Sequence, residues 1–264
     1  MSIKPKTILT KFVLTLLLFQ ASCVGPAPSP LTTPTMAPDL TQTVEPSATS
    51  FVSPTPGGLP DIQDKPQPVE ITFQGCPPEG DGGDPVLNRL KNRVDEGQYI
   101  PVQFDALFSL TWPKAVERRM HSEWSPQDAA EISRYEGIPV MVEGYLADAK
   151  ESGPESTNCH GAGSAHMDWH IWLVKSAGVD RTRSIVIETT PRVRPNHPGW
   201  SIPLLHEIVK NQEPVRISGW TMFDPEHPDQ IGKTRGTLWE IHPIMQIEVQ
   251  RNGQWVTLDS LAGQ

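Results

Sequence analysis

ESTNCHGAGSAHMDWHIWL, residues 155–173, puts Cys159, His160, His166, Asp168 and His170 into one glycine-containing turn and the strand that follows it. In a strand successive side chains alternate between faces. Asp168, His170 and Trp172 therefore share one face, and Trp169, Ile171 and Leu173 share the other. The apolar set is expected to point inward and the first set to lie on an outer face. An Asp and a His two apart can share a metal, because each offers one ligand atom of the right kind. A second stretch, RGTLWEIHP at 235–243, repeats the pattern: Glu240 and His242 share a face, with Trp239 and Ile241 opposite. A site of Asp168, His170 and His242, with Glu240 as base beside His170 and His242, would suit metal-activated water.

The same residues have plainer readings. His170 and Asp168 also suit hydrogen bonds across a sheet, Glu240 suits a pair with Arg235, and His242 before Pro243 suits a strand end. Neither HEXXH nor paired CXXC motifs occur, and adjacent Cys159 and His160 are poorly spaced for one metal. The leading expectation is a domain without a cofactor, and the alternative is one divalent metal such as zinc. Ser164 lies in no nucleophile elbow, and no Walker or dinucleotide fingerprint is present. For ligand binding, the expected residues are Trp172 as a stacking surface, His170 beside it, and Lys233 with Arg235 for one phosphate or carboxylate. Arg192, Arg194 and His197 add charge in a proline-rich loop.

The elements that must position these residues can be read from periodicity and caps. DPVLNRLKNRVD and SPQDAAEISRY are expected helices, with Asp84 and Ser125 as N-caps and proline in the first turn. Strands are expected over 138–149, from Asp168, from Arg183, from Pro214 and from Ile244, with SIPLLHEIVKN as a helix between the third and fourth. QWVTL is expected to pair back after a turn at Arg251–Gly253. This order implies a mainly β domain with short helices (α+β), built as a five-stranded, partly open barrel of the OB type. The expected organisation is a signal segment at 1–22, a tether at 23–68, an N-terminal elaboration with short helices at 69–136, and the barrel domain at 137–264.

Lys4, Lys6 and Lys11 precede the apolar run FVLTLLLF, and Ala21-Ser22-Cys23 follows. The run is too short to span a membrane. The segment resembles a bacterial lipoprotein signal, although Gln20 departs from the usual aliphatic residue. That resemblance implies lipid attachment at Cys23 and a place on the extracytoplasmic face of a bacterial cell membrane. The Pro/Ser/Thr-rich sequence after Cys23 cannot bury a core and suits a tether. Cys76 and Cys159 remain, and an oxidising compartment favours pairing them.

Without the first three lysines, 19 basic residues stand against 31 acidic ones, a net charge of −12. An acidic chain is a poor partner for extended nucleic acid. DWHIWL and RGTLWEIHP together resemble a pattern of uncharacterised bacterial exported proteins, which implies no specific reaction. Staphylococcal-type nucleases are similar at the level of an elaborated, exported OB fold only, since their arginine and carboxylate arrangement has no counterpart here. The leading expectation is a noncatalytic module for an extracytoplasmic protein, glycan or small anionic ligand; the alternatives are a metal-dependent hydrolase, such as a phosphodiesterase, and a structural envelope protein.

In a bacterial host supplied with labelled palmitate, the wild-type chain should carry label and fractionate with membranes. Cys23→Ala should lose both. Equal labelling of the two would contradict lipidation at this cysteine.

Overall fold

The computed structural model describes residues 59–60, 62 and 64–261. The signal-like segment, Cys23 and the tether up to residue 58 lie outside them. In chain order the elements are α1 (Pro85–Lys91), β1 (Ile100–Val102), α2 (Phe104–Phe108), α3 (Pro126–Ser133), β2 (Pro139–Glu151), β3 (Trp169–Val174), β4 (Ile185–Thr189), α4 (Ile202–Asn211), β5 (Pro214–Phe223), β6 (Trp239–Arg251), β7 (Gln254–Thr257) and α5 (Leu258–Leu261).

β2 to β6 form a closed five-stranded barrel of the OB type. β2 pairs with β3, β3 with β4, β5 with β6, and β5 with β2, all antiparallel; β4 meets β6 in parallel at Ile187 and Ile241. Closure depends on β2, which pairs with β5 over Pro139–Tyr145 and with β3 from Tyr145 onward. The change of partner falls beside Gly144, where a Cβ would stand 2.6 Å from the Val174 carbonyl oxygen. Only glycine permits that approach. α4 lies between β4 and β5, with Ser201 as its N-cap, and seats Leu205 and Ile208 in the core.

The inward set is apolar by alternation. Val140, Val142, Ile171, Leu173, Ile185, Ile187, Val215, Ile217, Trp239, Ile241, Ile247 and Val249 share one core with Phe104, Leu107 and Ile132 from the preceding segment. Each such aliphatic side chain contributes about 1.5–3 kcal/mol on burial.

The last barrel strand departs from expectation. It begins at Trp239, five residues before the expected Ile244, and runs through Pro243 in a cis peptide. Proline lacks the N–H that a ladder requires, which is why the sequence reads as two pieces. The register shifts at Gly219 opposite, where a Cβ would lie 2.4 Å from the Pro243 carbonyl oxygen, and the extra residues fall on β6. β6 then turns at Asn252 and Gly253, both with positive φ, into β7.

The N-terminal segment is a cover over the barrel's outer face. Arg93 stacks 3.4 Å above the Trp220 ring, which faces away from the interior. Asp84 caps α1 and also accepts from the His121 backbone N–H and ring Nδ1, both at 2.6 Å. His121 is mostly buried, stacks on Trp124 and lies 3.7 Å from Glu136. Burial lowers its pKa, but Asp84 and Glu136 outweigh that and raise it from 6.5 to about 9. Asp84 is held below its ordinary value, burial opposing ionisation and His121 favouring it more strongly.

A raised histidine pKa gives stability that is complete below pH 6.5 and is lost as pH rises through about 9. The wild type should lose unfolding free energy relative to His121→Gln over that range, at up to about 1.4 kcal/mol per pH unit. Urea melts at pH 6.5 and 9.5 check this; parallel curves for the two proteins would contradict it.

Candidate metal centre

The parallel contact of β4 and β6 sets the site. Ile187 and Ile241 are paired and point inward, so Glu188, Glu240 and His242 project from the outer face. His170 is the cross-strand partner of Glu188. Asp168 shares its parity just before β3, where its carbonyl accepts from Ser152 N–H at 2.8 Å.

The face expected to be open is covered. Asp168, Glu188, Glu240 and His242 are all buried, beneath the loop 152–167 and the segment around α1. Asp168, Glu188 and His242 each offer a ligand atom, and these atoms lie within 4.8 Å of one another. Asp168 Oδ2, Glu188 Oε2 and both ring nitrogens of His242 have no hydrogen-bond partner. His170 Nε2 approaches Glu188 Oε2 to 3.2 Å and Glu155 Oε1 to 3.5 Å, outside hydrogen-bond geometry at Glu188. A buried polar group without a partner costs about 1–3 kcal/mol, and a charged one more. A hydrogen-bonded structural network has no use for four such atoms in one place. Two carboxylates and an imidazole around one point fit a divalent cation.

The electrostatics agree with that fit. Burial disfavours charge on Glu188, but His170, His242 and Lys91 hold it well below the carboxylate range. Burial lowers the His242 pKa against the pull of Glu188 and Asp168, which favours the neutral ring that a metal ligand requires. Asp168 is pushed up to about 6 by burial and by Glu155, against the pull of His242. Burial raises Glu240 to about 8 despite Arg235, with Asp224 and Glu188 adding to the rise. The last residue of α1, Lys91, is buried here; desolvation would lower its pKa, but Glu155, Glu188, Glu226 and Asp224 hold it above the ordinary lysine value.

The expectation of a domain without a cofactor is corrected by these donors, since the described residues gather two groups with metal-ligand chemistry. The second group is Asp224, Glu226 and His227. Its carboxylate is already engaged: Asp224 accepts from Arg235 at 2.6 Å, from His227 Nδ1 at 2.7 Å and from Glu226 N–H at 2.8 Å. The Asp168 group is therefore the better centre.

The other expected site residues sit as follows. Glu188 takes the third place in the donor set, with His170 beside it on the side nearer solvent. Glu240 bonds Arg235 at 2.7 Å and stands 3.6 Å from His242 Nδ1, behind the donors rather than facing a free position. Trp172 is buried, with Lys150 and Arg181 at 5.7 and 5.1 Å from its ring, so it presents no open stacking surface. Lys233 is exposed while Arg235 is buried between Asp224 and Glu240, so the two do not form one anion clamp. Arg192 is buried in the cover, Arg194 bonds the carbonyls of Thr189 and Ser164, and His197 pairs with Asp259 at 2.8 Å. His160 lies 3.5 Å from Asp81, and His166 packs on Phe73.

Glu188, Lys91 and Glu155 were not singled out by sequence. Glu188 does carry a signal: it is the one acid in the apolar run SIVIE, at the parity that faces out. No protein-family model, no curated protein and no solved structure matches this chain.

Cys76 and Cys159 form a disulfide, with 5.7 Å between Cα atoms, across 83 residues of sequence. It joins the segment before α1 to the loop that carries Glu155 and Asn158. Removing it in a Cys76→Ser, Cys159→Ser double variant should cost about 2–5 kcal/mol in denaturant unfolding, because the open chain regains loop entropy. An unchanged midpoint would show that the cover holds without it.

Proposed function

We propose that this chain is a metal-dependent hydrolase held at the extracytoplasmic face of a bacterial membrane by lipid on Cys23. The observation that carries the reading is the convergence of Asp168, Glu188 and His242 with buried donor atoms that have no other partner. Catalytic zinc sites use three protein ligands of these types and leave a position for water. A bound divalent cation supplies a lowered pKa for that water and polarises the substrate oxygen.

The chain's own residues support the rest. Glu240, fixed by Arg235, stands 3.6 Å from His242 Nδ1 as a neighbouring acid rather than a hydrogen-bond partner. His170 and Glu155 form the edge nearest solvent, with side chains 22% and 27% exposed. A substrate would have to enter at that edge, where the Glu155 carboxylate, burial notwithstanding, is kept below its ordinary pKa by His170 and Lys91. With a cation held by Asp168, Glu188 and His242, Glu155 would be the carboxylate at that edge available as a base. Phosphodiesters are the first substrates to try, as their two charged or polar oxygens suit a cation flanked by His170 and Lys91. The lipoprotein-like signal and the disulfide support the extracytoplasmic placement.

Chelator-stripped protein should take up one equivalent of zinc or manganese and hydrolyse bis(p-nitrophenyl) phosphate only when loaded. Glu188→Gln and His242→Asn should lose both metal and activity. Elemental analysis with the hydrolysis assay checks this; equal activity in stripped, loaded and variant proteins would contradict the reading.

A further inference from the structure

We infer that Asn158 is a positioning residue of this metal centre, selecting which oxygen of Asp168 faces the other donors; the inference rests on the metal-centre reading. Asn158 Nδ2 donates to Asp168 Oδ1 at 2.9 Å, Asp168 Oδ2 is left without a partner, and a carboxylate oxygen of Asp168 lies within 4.8 Å of the Glu188 and His242 donors. A carboxylate rotates about a broad two-fold torsion, so a hydrogen bond to one oxygen is what separates the two.

The amide of Asn158 is itself oriented. Arg192 Nη1 donates to Asn158 Oδ1 at 2.8 Å. A guanidinium has only donors, so it must face the amide oxygen, and the Asn158 NH2 must then face Asp168. Arg192 is anchored by Asn92 Oδ1 at 2.8 Å and by the carbonyls of Cys76 and Pro77 at 3.2 and 3.1 Å. Asn92 in turn donates to the carbonyls of Pro78 and Thr157. Asp168, Asn158, Arg192 and Asn92 are all buried. The relay runs from the disulfide-bonded cover to a donor of the centre, and Asn158 is its last link.

Asn158 is also adjacent to Thr157, which provides a matched control. Thr157 is equally buried, and its hydroxyl donates to Asn88 Oδ1 at 2.5 Å; it belongs to the same loop and makes no bond to Asp168.

The test titrates zinc into the chelator-stripped full chain against a colorimetric chelator, for wild type, Asn158→Ala, Asn158→Ser and Thr157→Ala, with the metal-free melting temperature of each. Loss of an outer hydrogen bond to a ligand typically weakens metal binding about 10–100-fold. Asn158→Ala should show that loss, while Thr157→Ala keeps wild-type affinity despite a similar drop in melting temperature. The visible absorption of the cobalt-substituted protein should move in Asn158→Ala and stay in Thr157→Ala. Asn158→Ser retains a small donor and should fall between; it carries the test if the alanine variant does not fold. Wild-type affinity in the Asn158 variants would overturn the inference and leave the metal centre standing. Equal weakening in Thr157→Ala would overturn it as general loosening of the loop. A wild-type protein that takes up no zinc would overturn the metal centre, and the inference with it.

Discussion

The structure depends on the burial of acidic groups close together. Asp168, Glu188 and Glu240 lie beneath one cover with His242, and mutual repulsion in a low-dielectric site is unfavourable unless cations offset it or, as the rise of Glu240 to about 8 reflects, a proton is kept. The protein brings cations of its own: Arg235, Lys91 and His170, whose pKa, against burial, Glu188 and Glu155 raise to about 10. Arg235 bonds Glu240 and Asp224, and Lys91 enters from α1. Arg235 compensates the Glu240 end of the cluster, while Lys91 and His170 act on Glu188. At the other end Asp168 Oδ2 and Glu188 Oε2 still lack hydrogen-bond partners. A divalent cation at that point would offset both carboxylates at once and use the His242 imidazole as a third ligand.

This electrostatic constraint explains the architecture of the cover. A barrel of the OB type needs only its interior core to close, and Ile171, Ile187 and Ile241 provide it. The outer face of β3, β4 and β6 would ordinarily be solvated. Here a disulfide, a guanidinium that donates to five acceptors, and the capped helix α1 hold a polar layer against it. Excluding water strengthens the interactions among the charges below. On the side toward His170 and Glu155 the layer is thinner, and those two side chains are partly exposed.

Much of the barrel was legible in the sequence because alternation and caps are local signals. Asp84, Ser125 and Ser201 cap the helices expected of them, and DWHIWL places Ile171 inward as its parity requires. Alternation also put Asp168 with His170, and Glu240 with His242, on common outward faces. What it could not supply was the pairing between distant strands. The meeting of Ile187 with Ile241 is a long-range parallel contact, and it is this contact that adds Glu188 to Asp168 and His242. The burial of Trp172 and Arg235 was illegible for the same reason, since the covering side chains come from elsewhere in the chain. Pro243 hid the first part of β6 because a proline ordinarily marks a strand's edge or end.

The central claim is that one divalent cation is shared by Asp168, Glu188 and His242. Anomalous diffraction at the zinc edge, from crystals of protein loaded with one equivalent of zinc, tests it most directly. The account predicts a single strong peak about 2.0–2.2 Å from Asp168 Oδ2, from a Glu188 carboxylate oxygen and from one ring nitrogen of His242. A map with no peak common to these three residues, and with Asp168 and Glu188 bridged by a shared proton or by water instead, would contradict it.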